Sequence, residues 1–202
     1  VIFPAHTSSA VLVFFASWVM MLIGRVRIGE LMKLLGLAFA AAMLAGLLNL
    51  GRSETAGGRV ETWIDLWTKP QTEKPIDQLT DTERSMIAIH NGGILGEGAG
   101  QSAMRVEMIH PESDYAYAFF VEEYGFILAV LLLMLYLWVF FRGIEIFRRC
   151  GTAFPGLLVL GLALLITCQA LLHIMVTVNL IPETGQTLPL ISRGGSSTIF
   201  TT

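Results

Sequence analysis

The sequence predicts an all-α, polytopic transmembrane helix bundle with one large extracytoplasmic loop. Three observations carry that prediction. Of the 202 residues, 54% are hydrophobic and only 14% charged, against about a quarter charged in an ordinary soluble domain, and the mean hydropathy is +0.66. Four long apolar stretches lack the alternation of barrel strands, and in lipid only helices or closed barrels satisfy their own backbone. Two short connections, two spans apart, carry an excess of Lys and Arg, the signature of cytoplasmic loops.

The first stretch runs from Thr7 to Ile23 (TSSAVLVFFASWVMMLI) and the second from Leu34 to Leu50 (LLGLAFAAAMLAGLLNL). Each is slightly shorter than the roughly 20 residues that cross a ~30 Å hydrocarbon core and extends into uncharged flanks. Between them GRVRIGELMK sets Arg25, Arg27 and Lys33 against Glu30. The third stretch spans about Tyr124 to Phe141, and RGIEIFRRCG then sets Arg142, Arg148 and Arg149 against Glu145. The fourth covers Phe154 to Ile181, and a fifth begins near Leu188. The two basic loops share a face, and that face is cytoplasmic. The start of the chain, residues 51–113 and the PETGQT loop, which has no Lys or Arg, therefore fall outside.

No signal peptide is visible at the N-terminus, which lacks a basic flank, short apolar core and small-residue cleavage site. Opening on Val1 and closing on STIFTT, residues 1–202 read as one membrane domain that is a piece of a longer protein. Cys150 lies in a basic loop and Cys168 in an apolar run, a placement that suggests neither a disulfide nor a metal pair.

The external loop has two halves. Residues 51–80 are polar, with Pro70 and Pro75, and are expected to form an extended excursion. From Asp81 a short helix is predicted: Thr80 or Asp81 serves as N-cap, Glu83 stands three residues after Thr80, and Asn91-Gly92-Gly93 ends it. Met86, Ile87 and Ile89 are expected along its packed side.

Three motifs then follow on the outer side. HNGGILGEGAGQS places five glycines, Gly92, Gly93, Gly96, Gly98 and Gly100, in nine residues. Such a backbone either forms an ordinary turn-rich loop or approaches something closely. With no preceding strand it is not a dinucleotide fingerprint. PESDYAYAFFVEEYGF brings Asp114, Glu122 and Glu123 to the mouth of the third span. Asp114 reads either as a plain N-cap or as a functional carboxylate kept ionised by the helix dipole. Asp114 and Glu122 are eight residues apart and can share a helix face. Glu123 points elsewhere, with Arg193 as a candidate partner. Acids this close to lipid imply function or a structural ion-pair network. IPETGQTLPLISRGGSS ends with Arg193, Gly194, Gly195, Ser196 and Ser197. That run suits an anion or a hydroxyl-rich ligand, or close helix packing. His90, His110 and His173 lack metal-ligand spacing, and His173 is expected to bridge helices.

Taken in order, these three motifs resemble the SEDS family (shape, elongation, division and sporulation), the FtsW and RodA class, over the whole chain, as its C-terminal half. SDYAYAFFVEEYG is similar to the family's TDFIFA..GEE.G motif, and SRGGSS to its SYGGSS. Arg193 departs from the pattern, as does Glu183-Thr184, where a Lys is often seen. TLPLIS leans toward the division-type branch. The resemblance implies a peptidoglycan glycosyltransferase of the bacterial cytoplasmic membrane that polymerises lipid II at its outer face. It implies Asp114 as the catalytic base, with Gln101, Glu122, Glu123, Arg193, Gly194, Gly195, Ser196 and Ser197 toward substrate. Implied partners are a class B penicillin-binding protein, other division or elongation proteins and membrane lipids, with no nucleic acid. The pyrophosphate leaving group needs positive charge. That charge comes from the chain's own residues or from a divalent cation, Mg or Mn, with no residue assigned to hold one. Two other readings compete. A lipid II flippase wants its acids near the midplane, whereas these lie at the outer edge. A non-catalytic division scaffold makes Asp114 dispensable.

Overall fold

A computed structural model describes residues 7–47, 53–68, 79–102 and 115–192. Among these residues the structure is all-helical: α1 (Thr7–Ile23), α2 (Ile28–Leu47), α3 (Ser53–Thr68), α4 (Asp81–Gly92), α5 (Ala116–Arg149) and α6 (Ala153–Thr177). The four apolar stretches are α1, α2, α5 and α6. Of these, α5 and α6 are long and apolar enough to cross a membrane, and α1 is a shorter apolar helix. The chain divides into two compact units, Val1–Arg59 with Phe140–Leu165, and Val60–Val139 with Ile166–Thr202.

In the first unit α1 turns into α2 through a left-handed residue, Arg25 (φ 59°). Val26 N–H donates to Met21 O and Arg25 N–H to Leu22 O, the paired bonds that close a helix C-terminus. Small residues set the close approaches. A Cβ on Gly143 would lie 2.6 Å from Ala163 Cβ. Leu31 is buried, but the rest of α2 is mostly open, with Leu37 71% and Phe39 70% exposed. An apolar surface of that extent is built for lipid or for other helices, not water.

The second unit holds the buried cluster of Tyr117, Val121, Ala129, Tyr136, Ala170, Ile174 and Leu188, joined through Ile89 to a smaller one of Ala88, Tyr115, Ala118 and Phe119. Several expectations are corrected here. Residues 53–68 are helical, not extended: Val60, Trp63, Ile64 and Trp67 fall at helical spacing, a period masked by the flanking prolines and acids. On α4 Ile87 and Ile89 pack against the buried clusters as expected, but Met86 is 37% exposed, and the small residues Ser85, Ala88 and Gly92 are among those buried. Small residues let the α4 backbone come close to its neighbours, which a search for large apolar residues overlooks. The fourth stretch ends at Thr177 because Asn179 (φ 58°) turns left-handed, with Leu180 N–H donating to Met175 O. Leu188–Ser192 is a turn, not the start of a helix. The remainder of that fifth stretch lies outside the described residues.

Candidate functional site in the second unit

The sequence of α4 stops where expected. Thr80 caps it, and the capping box closes reciprocally: Glu83 N–H donates to Thr80 Oγ1, and Thr80 N–H to Glu83 Oε2 at 2.8 Å. Gly93 follows, and the glycine-rich segment begins.

That segment is spliced into α5. Gly125 (φ 82°, ψ 171°) breaks α5, so Glu122 and Glu123 belong to a short first segment before the membrane-crossing length of the helix. In an unbroken helix Phe126 and Ile127 N–H would donate to the carbonyls of Glu122 and Glu123. Here Glu97 N–H donates to Glu122 O (2.9 Å) and Gly98 N–H to Glu123 O (3.0 Å). In exchange, Phe126 N–H donates to Gly93 O (3.0 Å) and Ile127 N–H to Ile94 O (3.5 Å). Four helical groups freed by the break thus find partners in the loop, so none is orphaned in the packed interior. Glycine is required by contact as well as by φ. A Cβ on Gly96 (φ +82°) would stand 2.4 Å from Glu123 O, and one on Gly125 2.5 Å from Gly96 N. Of the two readings of this motif, the close approach holds, and the thing approached is the chain itself.

The carboxylates then separate in character. Glu122 is fully buried and accepts from Ser102 Oγ, while its Oε1 meets no donor among the described residues. Glu123 is half-buried and Gln101 exposed. Asp114, Arg193, Gly194, Gly195, Ser196 and Ser197, like His110, lie outside the described residues, and with them the pairing expected between Glu123 and Arg193. The described neighbours of the missing pieces are Tyr115 and Ser192.

The second irregular segment, residues 178–192, is held differently. His173 is fully buried and bridges, as expected: Nε2 accepts from Tyr117 N–H at 3.3 Å, and Nδ1 donates to Gln186 O at 2.7 Å. Those partners fix the neutral Nδ1–H tautomer, since the amide can only donate and the carbonyl only accept. Gln169 Nε2 donates to Thr187 O at 3.0 Å, Tyr136 OH to Pro189 O at 2.5 Å, and Leu188 N–H to Ser192 Oγ at 2.8 Å.

This strap carries Glu183 to a place that sequence reading missed. Tyr115 OH and Thr82 Oγ1 both donate to Glu183 Oε1, and the two hydroxyls are 3.1 Å apart. Burial, and then the accepting Glu183 carboxylate, push the Tyr115 phenol well above its ordinary range. Glu183 is thus bonded to the residue that follows Asp114 in the sequence. The available signal was Glu183 itself, an acid in a loop without Lys or Arg. Thr82 gave none. Among the described residues, no three His, Cys, Asp or Glu side chains converge to hold a metal ion.

The FtsW/RodA/SpoVE family, described as cell cycle proteins, matches residues 1–202. The chain belongs to this family. Among its relatives, the probable peptidoglycan glycosyltransferase FtsW of Thioalkalivibrio sp. (strain K90mix) is 37% identical over 148 residues, covering 71% of this chain and 36% of that protein. The FtsW of the same description from Marinobacter nauticus is 34% identical, covering 100% of this chain and 49% of its own length. Stage V sporulation protein E of Bacillus subtilis is 33% identical over 140 residues, covering 69% of this chain and 37% of its own. The chain therefore spans about half or less of the curated relatives it matches. A solved structure described as "Structural coordination of polymerization and crosslinking by a peptidoglycan synthase complex" covers 98% of this chain and 53% of its own, with TM-score 0.63 at 24% identity. That likeness shows the fold, an all-helical bundle. The FtsW names fit the lean toward the division-type branch.

Proposed function

We propose that the protein containing this chain is a multi-pass enzyme of the bacterial cytoplasmic membrane that polymerises lipid II into glycan strands at the outer face. The observation that supports this reading is that the described parts of the three motifs, residues 93–102, 115–126 and 181–192, lie in one compact unit, in a chain whose relative is called a probable peptidoglycan glycosyltransferase. Lipid II is amphipathic, and its reacting bond sits where lipid meets water. Acids at the mouth of a membrane helix suit that position better than acids at the midplane.

In this reading Asp114 takes the proton from the attacking sugar 4-hydroxyl as oxygen bonds to the anomeric carbon, and the bond to the lipid pyrophosphate breaks. Arg193 and the Gly194–Ser197 run stabilise the departing pyrophosphate. Gln101 and Glu123 contact the sugars. Glu122, being buried, acts through Ser102 as a positioning residue. The partner is a class B penicillin-binding protein; the polymerization-and-crosslinking complex with the same fold supports that pairing.

The test is polymerisation of lipid II by the purified full-length protein. Asp114→Asn keeps the shape and a capping acceptor but cannot accept the proton. The expected loss is about 10²- to 10⁴-fold in rate, with thermal stability and partner binding retained. Polymerisation near the parent rate would make Asp114 only a cap and end this assignment.

A further inference from the structure

We infer that the apolar face of α3 lies in the outer membrane interface and contacts lipid there, independently of the glycosyltransfer reading. Val60, Trp63, Ile64 and Trp67 occupy positions 0, 3, 4 and 7 of one helical stripe, within about 100° of arc. Glu61 and Asp65 project from another side of the helix. Val60 is 44%, Ile64 46% and Trp67 63% exposed, so among the described residues these three are largely uncovered, while Trp63 is half-buried.

Its depth is fixed by one bond. Trp63 Nε1–H donates to Asn179 O at 3.1 Å, and Asn179 closes the C-terminus of α6. That helix has 25 residues, about 37 Å at 1.5 Å per residue, against a hydrocarbon core of ~30 Å. Its end therefore sits at the headgroup boundary, the level where tryptophan concentrates. Exposed Val178 and Leu180 flank the anchor and continue the apolar surface at that level. A helix tied there, with an open apolar stripe and an opposing polar side, has the geometry of an interfacial helix. Its polar residues are net acidic, Glu54, Glu61 and Asp65 against Arg59, so apolar burial, not attraction to anionic headgroups, drives the contact.

The experiment places a nitroxide on single cysteines at positions 60, 64 and 67, with 61 as the polar-side control, in the intact protein with Cys150 and Cys168 replaced by serine. The protein is reconstituted in phosphatidylcholine nanodiscs, and collision with oxygen (lipid-soluble) and a nickel chelate (water-soluble) is measured. The oxygen-to-nickel ratio is expected to be severalfold higher at 60, 64 and 67 than at 61, and unchanged when anionic lipid is added. If the Trp67 variant fails to fold, 60 and 64 carry the test. Aqueous values on the stripe would overturn the inference, since the helix would then stand off the membrane. Immobilised labels shielded from both reagents would overturn it in favour of a covering protein, and a ratio that rises only with anionic lipid would overturn the stated driving force.

Discussion

The two irregular segments that frame the candidate site are held by different means. Residues 93–98 are fastened backbone to backbone, exchanging four hydrogen bonds with the broken turn of α5. Residues 182–192 are fastened by side chains, with His173, Gln169 and Tyr136 each taking one carbonyl of the strap. The first mode leaves no room for a side chain at the splice and is indifferent to most chemistry elsewhere. The second tolerates bulk but fails when a donor is lost. Substitutions that separate the two modes follow, from the largest expected effect to the smallest.

Gly96→Ala attacks the splice. It forces a left-handed conformation on alanine, costing about 1–2 kcal/mol, and drives a Cβ into Glu123 O, adding about 1–3 kcal/mol of overpacking. The thermal midpoint of the purified protein should fall sharply. Gly100→Ala, also at positive φ (+80°) but with nothing within 4 Å, should show the strain alone. Equal losses at the two positions would mean that the splice contributes nothing beyond φ.

His173→Phe attacks the strap. It preserves bulk but leaves Tyr117 N–H and Gln186 O without their buried partner, at about 1–3 kcal/mol for each group. Loosening should be local: amide hydrogen exchange should quicken over residues 184–190 and stay slow over 94–98. Uniform acceleration would show that the two segments are one cooperative piece.

Tyr115→Phe gives the smallest effect and sets its sign with pH. The folded protein holds the phenol protonated above its ordinary value of 10.0. The stability this contributes is fully present below about pH 10 and is lost as pH rises beyond it, because only the unfolded chain then readily releases the proton. Between about pH 9 and about pH 11 the parent should therefore lose more thermal stability than Tyr115→Phe. Parallel curves would show that Tyr115 does not stay buried against Glu183 in solution.

Much of this architecture was legible in the residues. Apolar runs gave α1, α2, α5 and α6 because burial in lipid demands composition before geometry. Thr80 and Glu83 gave the start of α4 because a capping box is local. The stripe on α3 was equally present, at Val60, Trp63, Ile64 and Trp67, but polar composition and the nearby prolines suggested an extended chain. The glycines announced a close approach without saying to what, since the answer, the carbonyls of Glu122 and Glu123, is some 25 residues further along the chain.

The sequence by itself determined the helical membrane class, the caps and the order of the outer motifs, because each depends on neighbours within a few residues. Only the tertiary structure decided that α5 breaks at Gly125. It also decided that Glu122 is enclosed while Glu123 and Gln101 are more open, and that Glu183 joins Tyr115 and Thr82. A carboxylate's role depends on what desolvates it and what donates to it, and here those groups come from segments 20 to 101 residues distant. No local pattern encodes such a meeting.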